Sequence, residues 1–390
     1  RQMCIRDRYY LRFSWLTAGS FLTPTAWPWG FSRLGVYGIG AVLVLASAVV
    51  LGAAEGRLAG HPPNRLRQLI MGVIAVVLAY VIFMDLARAA AYSGPTFRVH
   101  LAGVQLEKPK VSEVLAHLDR LVEAHPETQW IVLGEYTFDG PVPPEVLVWC
   151  RRHRRHLIAG GKEPLPDGTF YNTAFVVSHE GEVVFRQAKA VPIQFFNDGR
   201  PAPAQHVWRP GMRTVFNPQQ PMVQPRYEWL TNWFEEDESR WRLPVRVGIA
   251  VCYDLSFALV IDRLVQAGEH SLRLLLVPAM DAVEWGAHQH RLNARMTAIR
   301  AAESSLWIFR VATSGISQLV APGGWVVAET SFPGQGEFIV GEAQGRYGRN
   351  RIPLDRVVGL QAVVITIATL LALLGWRRIE RALSQPNPTP

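Results

Sequence analysis

The chain has 390 residues, enough for one large domain with appendages, and 49% of them are hydrophobic, a high share for a purely soluble enzyme. Its net charge of +8 requires no nucleic-acid partner, because part of the excess lies in arginines that flank apolar stretches. The 3 cysteines, Cys4, Cys150 and Cys252, lack the spacing of a metal site or a redox pair, so neither a metal nor another cofactor is expected.

Residues 1–33 do not begin with methionine, and Arg1 to Arg8 are unlike the apolar sequence that follows. They read as a truncated or artefactual start, with further spans expected upstream. Leu34 to Ala54 and Val357 to Trp376 carry no charge, and Leu69 to about Tyr92 is interrupted only by Asp85 and Arg88. Each is close to the ~20 residues that cross a ~30 Å hydrocarbon core. The expectation is two transmembrane helices within 34–92 and a third at 357–376. Arg57, Arg65 and Arg67 follow the first span, and Arg377, Arg378 and Arg381 follow the last. Both clusters suit the cytoplasmic side, with 377–390 as a cytoplasmic tail. A domain at 93–350 then faces the periplasm from a bacterial inner membrane.

Within that domain, Phe97 to Gln105 reads as a strand, and apolar residues from Val111 to Val122 share one helix face. Trp130 to Leu133 is a short buried strand ending at Gly134-Glu135, followed by a helix over Glu145 to Arg155 and a strand from His156 to Gly160. Tyr171 to Val177 and Glu182 to Gln187 flank the turn Ser178-His179-Glu180-Gly181. Pro192 to Trp241 has little periodicity and reads as a long loop near the site, with an apolar mouth built from aromatics such as Phe195 and Phe196. The run Val245 to Val251 is a buried strand that stops at Cys252, and Asp254 or Ser256 is placed to cap a helix to Ala267. Leu272 to Val277, a helix over Ala287 to Glu303, Trp307 to Ala312 and the hairpin Ser317 to Ala328 complete the reading. Alternating strands and helices predict an α/β layered domain.

Three strand ends carry reactive groups: Glu135, Lys189 and Cys252. A thiol where a strand turns into a helix meets backbone N–H groups and a helix dipole, which lower its pKa and can cradle an oxyanion. The same cysteine could also be a small buried filler, or pair with Cys150 in a disulfide. Gathered in one cleft, the three groups would supply a base, an oxyanion partner and a nucleophile. His288 and His290 lie two apart on one helix, a poor metal pair, and read as solvated or capping residues. The basic run Arg151 to His156 reads as a solvated helix end.

The order Glu135, Lys189, Cys252 resembles the catalytic triad of the nitrilase, or carbon–nitrogen hydrolase, superfamily. Tyr171-Asn172-Thr173-Ala174 with Gly181, then Val247 to Asp254, Val277 to Asp281 with Trp285, Arg295 with Ala298 to Glu303, and Arg310 to Ser317 are similar to its other segments. An ungapped match would set Gln187 at the lysine position; Lys189 is preferred because glutamine carries no charge. The resemblance implies a four-layer αββα sandwich flanked by transmembrane helices. It implies Cys252 as nucleophile, Glu135 as general base and acid, and Lys189 as stabiliser of the tetrahedral intermediate. It also implies oxyanion or substrate contacts at Tyr253, Asp281 and Trp285, beside the aromatic Phe195 and Phe196. With membrane spans on both sides, the chain resembles the apolipoprotein N-acyltransferase branch. That branch implies a phospholipid as acyl donor and a lipoprotein amine as acceptor. Two alternatives stay open: a membrane-tethered amidase or nitrilase acting on a small amide or nitrile, and an inactive binding module on the same fold.

Overall fold

The computed structural model describes residues 17–22, 24–58, 96–193, 197–202, 247–266, 272–346 and 352–359, with scattered helical positions between 361 and 375. The apolar runs become strands β1 (Thr96–Val104), β2 (Trp130–Leu133), β3 (His156–Pro164), β4 (Phe170–Val177), β5 (Val183–Ala188), β6 (Val247–Ile249), β7 (Leu274–Ala279), β8 (Trp307–Ala312), β9 (Gln318–Ala321), β10 (Trp325–Glu329) and β11 (Phe338–Arg346). They form two sheets, ordered β11-β1-β2-β3-β4-β5 and β10-β9-β8-β7-β6. In each sheet three consecutive strands are parallel, β1-β2-β3 and β6-β7-β8. Parallel neighbours need crossover helices. Here these are α2 (Val111–Ala124) and α3 (Pro144–His153) for the first sheet, and α4 (Ala258–Gln266) and α5 (Gly286–Ser304) for the second. They follow α1 (Pro28–Leu58), which lies outside this repeat.

Alternation of side chains along each strand sorts the core into layers. Leu101, Trp130, Val132 and Ile158 face Ile249, Leu274, Leu276 and Phe309 between the two sheets. Their sequence neighbours Ala102, Ile131, Leu133 and Leu157 meet Val114, Leu118, Leu121, Val146 and Trp149 on the outer side. Leu275, Val277 and Ile308 meet Ile261, Leu264, Ala298 and Ala301 in the other outer layer. Helices therefore cover both outward faces, and the order is helix, sheet, sheet, helix.

Element bounds follow the expected ones closely, with one omission. Strand β11 has no counterpart in the sequence reading. It pairs antiparallel with β1, from Thr96 opposite Arg346 to Val104 opposite Phe338. Cys150 and Cys252 are both free. Cys150 lies in the outer layer with α3, whereas Cys252 packs against the core between the sheets, so the disulfide alternative is overturned.

Among the described residues one helix is long and apolar enough to cross a membrane, at Pro28–Ala48 within α1. The break at Gly35 (φ 72°) divides α1. Phe31, Val36 and Ile39 pack on Met296, Ile299 and Ala302 of α5, while Val44, Leu45, Val50 and Leu51 are exposed. The chain is helical again from 354, and Val357, Val358, Val364, Ile367 and Leu371 are exposed. The expected span at 69–92, residues 1–8 and the tail 377–390 lie outside the described residues.

Phe309 is fully buried between the sheets. Phe309→Ala is expected to lower unfolding free energy by about 3–5 kcal/mol, read from the urea midpoint of the detergent-purified protein.

Candidate active site

The turns that follow β2, β6 and β7 meet at one end of the sandwich. Glu135 is carried past the end of β2, where its N–H donates to the Ala279 carbonyl of β7 at 3.3 Å. Gly160 of β3 makes this turn possible. A Cβ there would lie 2.5 Å from the Glu135 Cα and 2.8 Å from the Tyr136 nitrogen, so only glycine lets the turn lie against β3. Tyr136 then takes the left-handed conformation (φ 55°). Cys252 does the same (φ 47°) at the first residue of the one-turn helix Cys252–Ser256. Non-glycine residues in that region carry backbone strain, and such positions cluster at functional sites.

The side chains of Glu135, Lys189 and Cys252 come together. Lys189 Nζ donates to Glu135 Oε1 at 2.8 Å, and both side chains are inaccessible to solvent. Glu135 Oε1 also accepts from Asn172 Nδ2 at 2.5 Å, and Oε2 accepts from the Met280 N–H at 2.9 Å. The Cys252 thiol faces this carboxylate and lies 3.6 Å from the Met280 carbonyl. Burial pushes the thiol well above its usual range, and the Glu135 charge adds to that, while Lys189 opposes both. The expectation of a depressed thiol pKa is therefore corrected. The helix-end N–H groups are outweighed by desolvation and a neighbouring carboxylate, and the resting sulfur keeps its proton beside a base that can take it.

A fourth group, Asp198, went unrecognised in the sequence. Lys189 Nζ donates to its Oδ2 at 2.7 Å, and Asn172 Nδ2 and Tyr136 Oη donate to Oδ1, each at 2.7 Å. The Ile193 N–H adds a bond at 2.6 Å. Burial works against the lysine ammonium, but Glu135 and Asp198 together hold it well above the ordinary lysine range. Burial also works against the Asp198 carboxylate, and Lys189 with these hydrogen bonds holds it below the usual carboxylate range. The sequence signal was an acid soon after the lysine, since a buried ammonium between two strands demands more than one counter-charge.

The remaining expected residues divide. Tyr253 follows Cys252 directly and is half-buried, with its ring edge-on to Phe257 at 4.9 Å between centroids. Asp281 is fully buried and its carboxylate is engaged inside the protein: it accepts from Arg310 Nη2 at 2.6 Å and Asn293 Nδ2 at 2.7 Å. It ties Asn293, in the middle of α5, to Arg310 of β8. Trp285 is half-buried in the turn Val283–Trp285. Phe195, Phe196 and most of the expected loop Pro192 to Trp241 (194–196 and 203–241) lie outside the described residues; Asp198 belongs to the described piece. His288 is exposed, but His290 is fully buried against Phe332, with ring centroids 4.1 Å apart, contrary to its solvated reading. Among the described residues no group of His, Cys, Asp or Glu is arranged to hold a metal ion. The basic run closes α3, with Arg154 in the left-handed conformation after His153.

Asp254 does not cap the helix expected after it. Its carboxylate accepts from the N–H groups of Ala190 at 3.1 Å, Val191 at 2.8 Å and Val251 at 3.3 Å, which pins the Cys252 turn to the segment just after Lys189.

No protein-family profile and no curated protein matches the chain. Solved structures do. The chain is similar to a carbon–nitrogen hydrolase from Helicobacter pylori G27, with 15% identity over 63% of this chain and 88% of that chain (TM-score 0.46). It is similar to Nit3 of Saccharomyces cerevisiae, a member of branch 10 of the nitrilase superfamily, with 15% identity over 63% and 90% (TM-score 0.43). A third is an amidase from Nesterenkonia sp. AN1 with the acetamide moiety of fluoroacetamide added to its active-site cysteine, at 15% identity over 64% and 90% (TM-score 0.44).

Burial pushes the Asp254 carboxyl up to about 6, against the pull of its backbone donors; its ordinary value is 3.8. A carboxyl that titrates higher folded than unfolded stabilises the fold in its protonated form below about pH 4, and that contribution is lost as pH rises through about 6. Comparing urea midpoints of the wild type and Asp254→Asn, the advantage of the wild type is expected to shrink across this window.

Proposed function

We propose that the protein is a thiol acyltransferase of the carbon–nitrogen hydrolase type, anchored in a membrane and acting on an ester-linked acyl chain. One observation carries the chemistry: the Glu135 carboxylate bonds Lys189 Nζ at 2.8 Å and faces the Cys252 thiol.

Glu135 takes the proton from Cys252 as sulfur attacks the acyl carbon. The carbonyl π electrons move to oxygen, and the ammonium of Lys189 and the Tyr253 N–H stabilise that oxyanion. When the tetrahedral intermediate collapses, the C–O bond to the alcohol breaks, Glu135 returns its proton to the leaving oxygen, and a thioester remains on Cys252. An amine then attacks the thioester carbon and gives a proton to Glu135; the C–S bond breaks, the amide departs, and Glu135 returns the proton to sulfur. The acyl donor would be a phospholipid and the acceptor the amino terminus of a lipoprotein. Two features support the membrane part of this reading: the apolar helix Pro28–Ala48 and the exposed apolar side chains of α1 and of the helix from 354. The inner membrane, with the catalytic domain at 93–350 on the periplasmic side, follows from the arginine flanks.

Intact-mass and peptide mass spectrometry of the protein purified from membranes tests this. A long-chain acyl adduct on Cys252 is expected, and it disappears in Cys252→Ala. Glu135→Gln and Lys189→Met should each slow adduct formation by about 10²- to 10⁴-fold. Release of ammonia from small amides, without an acyl adduct, would instead identify an amidase that resolves the same intermediate with water.

A further inference from the structure

Arg300 is fully buried on α5, and the chemistry above leaves it unused. Its guanidinium grips the far end of the nucleophile turn: Nε donates to the Leu255 carbonyl at 3.0 Å and Nη2 to the Ser256 carbonyl at 2.9 Å. Its Nη1 pairs with Glu303 Oε2, one turn further along α5. The other oxygen of Glu303 accepts from the Val36 N–H at 2.6 Å and lies 2.9 Å from Arg356 Nη2. Arg356 in turn binds Asp262 of α4 at 3.2 Å and Asp355 at 2.5 Å. Asp355 accepts from the N–H groups of Tyr37 at 3.1 Å and Gly38 at 3.3 Å.

The break at Gly35 explains why these partners exist. It frees the first backbone donors of the second piece of α1, Val36, Tyr37 and Gly38, and two carboxylates cap them. A Cβ on Gly35 would run into the Asp355 carboxylate, so the break and the cap are one device. The chain of contacts is continuous from the apolar helix to the residues that carry the thiol.

We propose that the Arg300–Glu303 pair makes α1 a positioning element of the active site: the helix holds Glu303, Glu303 holds Arg300, and Arg300 fixes the turn that aims Cys252 at Glu135. This rests on the reading of Cys252 as nucleophile. Its consequence is that the apolar helix serves the chemistry as well as attachment, and that loosening its break changes the sulfur.

Iodoacetamide alkylation of the full chain in detergent micelles, followed by peptide mass spectrometry at Cys252 across a pH series, separates the possibilities. Glu303→Gln and Gly35→Ala are expected to slow alkylation at neutral pH by about tenfold and to move the pH profile toward that of an unassisted thiol. Arg300→Lys, which keeps the charge and one donor, should recover part of the rate lost in Arg300→Met. Thermal melts identify variants that have simply unfolded. Asp355→Asn leaves Arg300 and Glu303 untouched and gives a milder loosening for the same measurement. Wild-type rates and profiles in folded Gly35→Ala and Asp355→Asn would overturn the coupling. An inert Cys252 in the wild type itself would overturn the nucleophile reading instead.

Discussion

The arrangement depends on one buried cation. Lys189 sits between two carboxylates, each within hydrogen-bond reach and all three shielded from water. An isolated ammonium there would shed its proton, because removing a charge from water costs far more than a neutral amine does. Two counter-charges reverse that balance and hold it ionised. Asn172 then ties the carboxylates together by donating to both. The cluster ties the Glu135 carboxylate, the cation and the start of the following loop into one hydrogen-bonded unit, the kind of preorganisation on which electrostatic catalysis relies.

The sulfur stands outside this unit and is aimed at it. Cys252 belongs to the other sheet, held in a left-handed conformation by contacts on both sides of its turn. Asp254 ties the turn to the backbone after Lys189, and Arg300 binds its last carbonyls. Such a conformation persists only where the surroundings over-determine it. The thiol is not stored as a thiolate; it waits protonated beside its base. A protonated sulfur spares the interior one more buried charge beside Glu135.

Much of this was legible in the sequence because local and global signals agreed. The runs Trp130–Leu133 and Trp307–Ala312 are apolar, β-branched or aromatic, and bounded by turns, and they are strands at those bounds. The three reactive residues stood out because each ended such a run. What escaped depends on partners distant in the chain. Strand β11 contains Gly341 and Gly345 and lacks a clean alternation; it is made a strand by β1, its partner from the far end of the domain. Asp198 lies in a segment without periodicity, so only the demand of the buried ammonium marks it. Asp254 looked like a helix cap, and two of the three donors that claim its carboxylate, Ala190 and Val191, come from another sheet's loop. His290 offered no signal for burial, because the Phe332 that covers it sits beyond three further strands.

The division of the centre between two sheets has a bearing on biosynthesis. Glu135, Asn172, Lys189 and Asp198 are all translated before the first residue of β6, and none of them is a strong nucleophile. The Cys252 thiol comes with the second sheet, and it meets the Glu135 carboxylate where the two sheets pack over Phe309 and its neighbours. A nascent or half-made chain therefore holds no assembled reaction centre. Whatever reaction the centre serves, its groups are complete only when the two sheets are docked.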